Sequence, residues 1–131
     1  MSKYENILFD VESPFGNSTW TANNIPAFPS NYAVPANTSE FVKIEVLPLR
    51  SNSDYNRFGI EGKIFIQIYV QANKGVKRLM EIADLLDNIL QNKTLTNGTQ
   101  TRSSSLQVLG IDRDNPELFR GDYIVDFLFY N

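Results

Sequence analysis

The residues able to do chemistry are few, and most of them are carboxylates. Asp112, Asp114 and Glu117 crowd around the run Asp112-Arg113-Asp114-Asn115-Pro116. A calcium loop needs more ligands at fixed spacing and a glycine at its sixth position, and this run lacks both. A solvated turn explains it better. Asp84 and Asp87 fall on the polar side of a predicted helix, where nothing raises a carboxyl pKa for acid catalysis. Lys74-Gly75 precedes that helix and could hold an anion at its start, but a plain helix-start turn accounts for it. The sequence has no histidine and no cysteine. That removes the usual neutral-pH base, thiolate chemistry, disulfides, the commonest zinc ligands and every Ser-His-Asp arrangement. Glycine-rich phosphate loops and a G-x-S-x-G elbow are missing as well. No catalytic residue, cofactor or metal site is expected, and an enzyme is the least expected class.

The elements that would position any site follow from periodicity. The 131 residues make one domain's worth of chain, large enough to fold without a staple. Tyr4 to Glu12 has helical spacing for about two turns, with Pro14 and Gly16 ending it. Residues 13–39 hold no charge between Glu12 and Glu40 but carry four of the six prolines, with Trp20, Phe28 and Tyr32. Proline makes regular structure unexpected there, while the aromatics argue for order. An extended arm wrapped on the domain or on a neighbour is expected.

Residues 40–48 alternate, with Val42, Ile44 and Val46 on one face, and Pro48 closes the strand. A polar linker, Arg50 to Arg57, leads to the strongest signal in the chain. From Phe58 to Val70 every even position except Gly62 is apolar, which reads as a long strand with Gly62 at a bulge or bend. These two strands form an antiparallel hairpin with a long loop. The period then changes to 3.6. Val76, Leu79, Met80, Ala83, Leu86 and Leu90 form the apolar face of an amphipathic helix, Gly75 to Leu90. Asn97-Gly98 suits a two-residue type I′ hairpin tip. Strands follow over Leu106 to Ile111 and Asp122 to Tyr130, the latter apolar on both faces and so expected inside the sheet. The fold class is α+β: a single mixed or antiparallel sheet with one main amphipathic helix packed on it, plus an extended N-terminal arm.

Charge and hydropathy limit the partners. Twelve Lys+Arg against fifteen Asp+Glu gives a net charge of −3, which argues against a nucleic-acid binder relying on overall positive charge. No apolar run approaches the ~20 residues of a membrane span. Met1 to Asn6 lacks the pattern of a signal peptide, so synthesis in the cytoplasm without export is expected.

Order and spacing together resemble the tail terminator proteins of long-tailed bacteriophages. The resemblance runs over nearly the whole chain. It rests on Trp20 with Asn24-Ile25-Pro26 and Pro29 in the uncharged arm, and on Phe41 to Leu47. Gly62 to Val70 followed by the Gly75-led helix carries it further, as does Arg113-Asp114 leading through Phe119-Arg120-Gly121-Asp122 into Tyr123 to Tyr130. The short N-terminal helix departs from relatives that begin with a longer one. The resemblance implies a structural protein of the virion tail. It would form a ring, typically of six copies, at the head-proximal end of the tail tube, stop tube growth and present a surface for the head connector. The implied partners are further copies of itself, the tail tube protein and a head-completion or connector protein, with no membrane and no specific nucleic acid. Another neck, tail-completion or baseplate ring protein is the alternative, and a small single-stranded nucleic-acid-binding module is a more distant one.

The subunit or partner interface expected from the sequence lies in three places. These are the linker Arg50–Arg57 with Arg50, Asp54 and Arg57, the hairpin tip at Asn97 with Arg102 after it, and the turn carrying Arg113, Asp114 and Arg120. Reversing Arg113 and Arg120 to Glu is expected to weaken a ring without unfolding its subunit.

Overall fold

The computed structural model describes residues 2–29, 33–35, 39–54 and 57–130; for residues 51–54 and 57–58 it describes the backbone only. Helix α1 covers Lys3–Glu12 and is capped by the Ser2 hydroxyl, which accepts from the Glu5 amide. A 3-10 turn, Ser13–Gly16, and a single helical turn α2, Ser18–Thr21, follow. Strand β1, Ala27–Pro29, completes this part. The expectation of an irregular extended arm is therefore corrected over its first half. Pro14 occupies the first turn of the 3-10 segment, where a missing N–H costs nothing. The Trp20 indole is buried, donates to the Ile25 carbonyl at 3.0 Å and meets the Phe15 ring edge-on at 5.0 Å. Aromatic burial, and not proline, decides the local structure.

The sheet is built from β1, β2 (Phe41–Asp54), β3 (Arg57–Gln71), β4 (Gln100–Ile111) and β5 (Leu118–Tyr130), in the order β1-β2-β3-β5-β4. Strand β1 runs parallel to β2, and every other pair is antiparallel. The sheet is mixed, and the α+β class holds. Pro48 does not end β2. It pairs with Gly62, and the register slips between Pro48 and Arg50, so Leu49 is an extra residue. The bulge foreseen at Gly62 thus lies on the facing strand. A Cβ at Gly62 would strike the Leu47 carbonyl oxygen and, at 2.7 Å, the Phe127 ring, so glycine here permits close approach. The long loop is also corrected: Asp54 pairs with Arg57, so β2 and β3 run to the hairpin end.

Helix α3 spans Gly75–Leu90, as the periodicity requires. It buries Leu79, Ile82, Ala83, Leu86, Ile89 and Leu90, while Val76 and Met80 stay exposed. The covered stripe is rotated from the expected one, with Ile82 and Ile89 buried in place of Val76 and Met80. The core joins these helix residues to Ile60, Ile64, Ile66 and Ile68 of β3 and to Tyr123, Val125, Phe127 and Phe129 of β5. Ile7, Val11, Phe15 and Trp20 close it at the N-terminal side.

The Asn97-Gly98 tip forms differently from the type I′ expectation. The Gly98 amide donates to Leu95 at 2.9 Å and the Leu95 amide to Thr99 at 2.8 Å. Gly98 has φ of +99° and Asn97 has no positive φ, so this is a three-residue loop with glycine in the last position.

Candidate assembly interface

All three helices cover one face of the sheet. The other face is covered at one end, where Phe28 and Val34 of the arm pack on buried Phe41, Tyr69 and Leu118, and is open beyond it. Strand register arranges that open face in rows. Lys43, Gln67 and Asp122 form one; Glu45, Phe65 and Ile124 the next; then Leu47, Lys63 and Asp126; then Arg50, Glu61 and Leu128. Basic and acidic side chains interleave, and Lys63 donates to Asp126 across the strands at 2.8 Å. Half-buried Phe65 and Ile124 lie at the centre.

The two ends of this sheet differ. At the β2–β3 hairpin end, Leu49, Arg50, Glu61, Lys63, Arg102 and Asp126 line a cleft of about 430 Å³, floored by Gly62, Phe127 and Leu128. Bulges supply two of its walls. The extra residue Leu49 is 64% exposed. Arg102 lies where the β4 register skips from Thr101 to Ser104. At the opposite end, the turn 112–117 joins β4 to β5. It is closed by the Leu118 amide donating to Asn115 at 3.0 Å and the Asp112 amide donating to Leu118 at 2.9 Å. Asp114, Arg113 and Glu117 are exposed there. Ile111 and Leu109 beside them are 62% and 46% exposed.

The residues singled out by sequence therefore fall into separate places. Arg50 and Arg102, 52 positions apart in the chain, come together in the cleft. The side chains of Asp54 and Arg57 lie outside the described residues. Arg113 and Asp114 are on the distant turn. Arg120 is near that turn but engaged within its own chain: its guanidinium lies 5.7 Å from the Tyr69 ring centre and 3.4 Å from Asp122. Burial, the larger influence, pushes the Tyr69 phenol above its ordinary value, against the pull of Arg120. Reversing Arg120 would thus disturb an internal contact as well as any interface. The Asn97 amide donates to Asp10 at 2.8 Å, so this tip is pinned to α1.

Three polar links escaped the sequence reading. Asp10, 1% exposed, accepts from the amides of Asn97 and Thr99 and from the Thr99 hydroxyl. Asp87, read as solvated, accepts from the Tyr123 and Ser104 hydroxyls at 2.6 Å each. Burial first, then the Asp87 carboxylate, holds the Tyr123 phenol well above its ordinary value of 10. Glu40 takes a two-pronged contact from Arg78 at 2.6 and 2.8 Å, and this hydrogen bonding draws its carboxyl below the ordinary 4.5. Each joins elements distant in sequence, and no local pattern signals it. Among the described residues, no group of three acidic side chains is placed to hold a metal ion, and no helix is long and apolar enough to cross a membrane.

No family model matches the chain, and no curated protein matches it. Solved structures do. A chain of the virion of a native gene transfer agent particle superposes with a TM-score of 0.68, covering 93% of this chain and 92% of that one at 12% identity. The fold is shared with a virion protein from end to end. A second solved structure gives a TM-score of 0.66 over 97% of this chain and 94% of the other at 15% identity. At such identities the likeness is one of fold.

Proposed function

We propose that this chain is a non-catalytic structural protein of a phage-type virion. It forms a closed ring, of six copies, at the head-proximal end of the tail tube, stops tube polymerisation and offers the surface to which the head connector joins. The observation that carries this reading is the fold match to a virion-particle chain across more than nine-tenths of both chains. The order of elements resembling tail terminators supports it. The physical character of the surface agrees. An open face with interleaved charges suits protein contacts and repels as much phosphate as it attracts. Its partners are further copies of itself, the tail tube protein and the head-completion protein, and its place is the virion.

The mechanism is geometric. Each subunit uses two unlike patches, so contacts propagate until the rotation closes. One ring face matches the tube end. The other does not reproduce it, so growth stops. Native mass spectrometry across a concentration series tests the ring. A species near 89 kDa, six times 14.9 kDa, is expected. A stable dimer as the terminal species overturns it. Tight, salt-sensitive oligonucleotide binding would replace this reading with a nucleic-acid-binding one.

A further inference from the structure

We propose that copies of this chain join head to tail along the strand direction, the acidic turn 112–117 of one copy seating in the cleft beside Arg50 and Arg102 of the next. This deepens the assembly reading and rests on it. The two surfaces lie at opposite ends of the sheet: β3 pairs Gln71 with Leu118 near the turn and Gly59 with Tyr130 near the cleft. Ten residues of β3 separate Glu61 in the cleft from Gln71 beside the turn, roughly 33 Å at about 3.3 Å per residue, so one chain cannot bring its own turn to its own cleft.

Charge and apolar surface match between them. The turn presents Asp112, Asp114 and Glu117 with one cation, Arg113. Among the described residues, none of the three carboxylates has an ion-pair partner. The cleft presents Arg50 and Arg102, likewise without an ion-pair partner among the described residues, around the Lys63–Asp126 pair and Glu61. Three acids with one base meet three bases with two acids, so Arg113 also finds carboxylates opposite it. A polyanion fits worse, because Glu61 and Asp126 would face its phosphates. Exposed Ile111 and Leu109 stand beside the turn, and exposed Leu49 stands beside the cleft, so both ends also lose apolar surface from water on contact. Two unlike patches make the contact heterologous, which gives a ring when the rotation from copy to copy closes.

Two charge-reversed variants test this, followed by sedimentation velocity at low salt, with circular dichroism to verify folding. Wild type is expected to associate beyond the dimer, more weakly as salt rises. Arg50→Glu with Arg102→Glu should raise the dissociation constant about tenfold or more, as should Asp112→Lys with Asp114→Lys. Mixed in equal amounts, the two variants should assemble beyond the dimer as alternating copies, since intact turn meets intact cleft at one contact and reversed turn meets reversed cleft at the next. All four changes in one chain should restore assembly. Variants that associate like wild type, a mixture that stays monomeric, or a wild type that stops at monomer or dimer would overturn the proposal. Should a reversed variant fail to fold, the absence of cysteine allows a milder route. Leu49→Cys and Asp114→Cys chains, mixed with a short bis-maleimide, should cross-link only to each other. Equal homodimer yields refute the contact. If wild type joins through these ends yet leaves tube growth unaffected, the tail-terminator function fails and this contact stands. If wild type caps tubes and the reversals are silent, the contact fails and the function stands.

Discussion

Replacing Asp10 by Ala probes the link between α1 and the Leu95–Thr99 loop. The Asp10 carboxylate is buried and accepts hydrogen bonds of 2.8 Å from the Asn97 amide, 3.2 Å from the Thr99 amide and 2.7 Å from the Thr99 hydroxyl. Hydrogen bonds to a charged group contribute about 1.5–3 kcal/mol each, and an unsatisfied buried donor costs about 1–3 kcal/mol. Bonds that share one acceptor group do not add, and removing the carboxylate also removes its own desolvation cost. A net loss of about 3–4 kcal/mol is expected for Asp10→Ala. Near 3–5 °C per kcal/mol for a chain of this length, the melting temperature should fall by about 10–15 °C. Asp10→Asn keeps the volume but turns an NH₂ toward donors, and should cost about 2–3 kcal/mol. Urea unfolding at neutral pH gives the free energy. Hydrogen exchange gives the location, since the Asn97 and Thr99 amides should exchange faster before the core does. An Asp10→Ala chain within about 1 kcal/mol of wild type, with those amides still protected, would refute the reasoning.

Other perturbations have comparably defined outcomes. Glu40→Gln removes the pairing with Arg78 and should cost about 1 kcal/mol at pH 7 in urea unfolding. Because the folded carboxyl lies below its unfolded value, this contribution is present above about pH 4.5 and disappears as pH falls through the folded value, so wild type and variant should converge in acid. Gly62→Ala forces a methyl group against the Leu47 carbonyl and the Phe127 ring and should cost about 2–3 kcal/mol by thermal unfolding; an unchanged melting temperature would contradict the close approach. Tyr123→Phe leaves the buried ring and removes its bond to Asp87, costing about 1–2 kcal/mol. Its phenol is held above the ordinary value, so the stability it contributes is intact below pH 10 and is lost as pH rises toward the folded value. Ultraviolet titration should find Tyr123 and Tyr69 still protonated where exposed tyrosines have ionised, and the number of late-titrating tyrosines should fall by one in Tyr123→Phe.

What the sequence disclosed depended on whether a segment's structure was set locally. Helix α3 was legible from Gly75 to Leu90, because a long stripe of apolar side chains recurs at 3.6. Strand β3 was legible for the equivalent reason at period 2. Strand β2 was cut short at Pro48 because its far half, Arg50-Ser-Asn-Ser-Asp, has no apolar alternation. That half is held by backbone pairing to β3, which side-chain patterning cannot report. Proline survives there because the outer edge of β2 beyond Ile44 has no partner among the described strands. The arm was misread over its first half because Trp20 burial overrides the proline signal. At the candidate interface, the identity of Arg50 and Arg102 as charged surface residues was legible. Their meeting in one cleft was not, since two separate bulges bring them together. Asp87 looked solvated, and Asp10 carried no signal at all, because their partners lie on other elements.

In the proposed function, this chain ends tube growth at the head-proximal side. The most direct measurement is electron microscopy of tail tubes polymerised with and without the purified protein. Tubes that carry a ring at one end and stop elongating once it is bound are expected, with the ring resolved as six copies in end views. Tubes that grow on at both ends in saturating protein, with no density added at either tip, would contradict it.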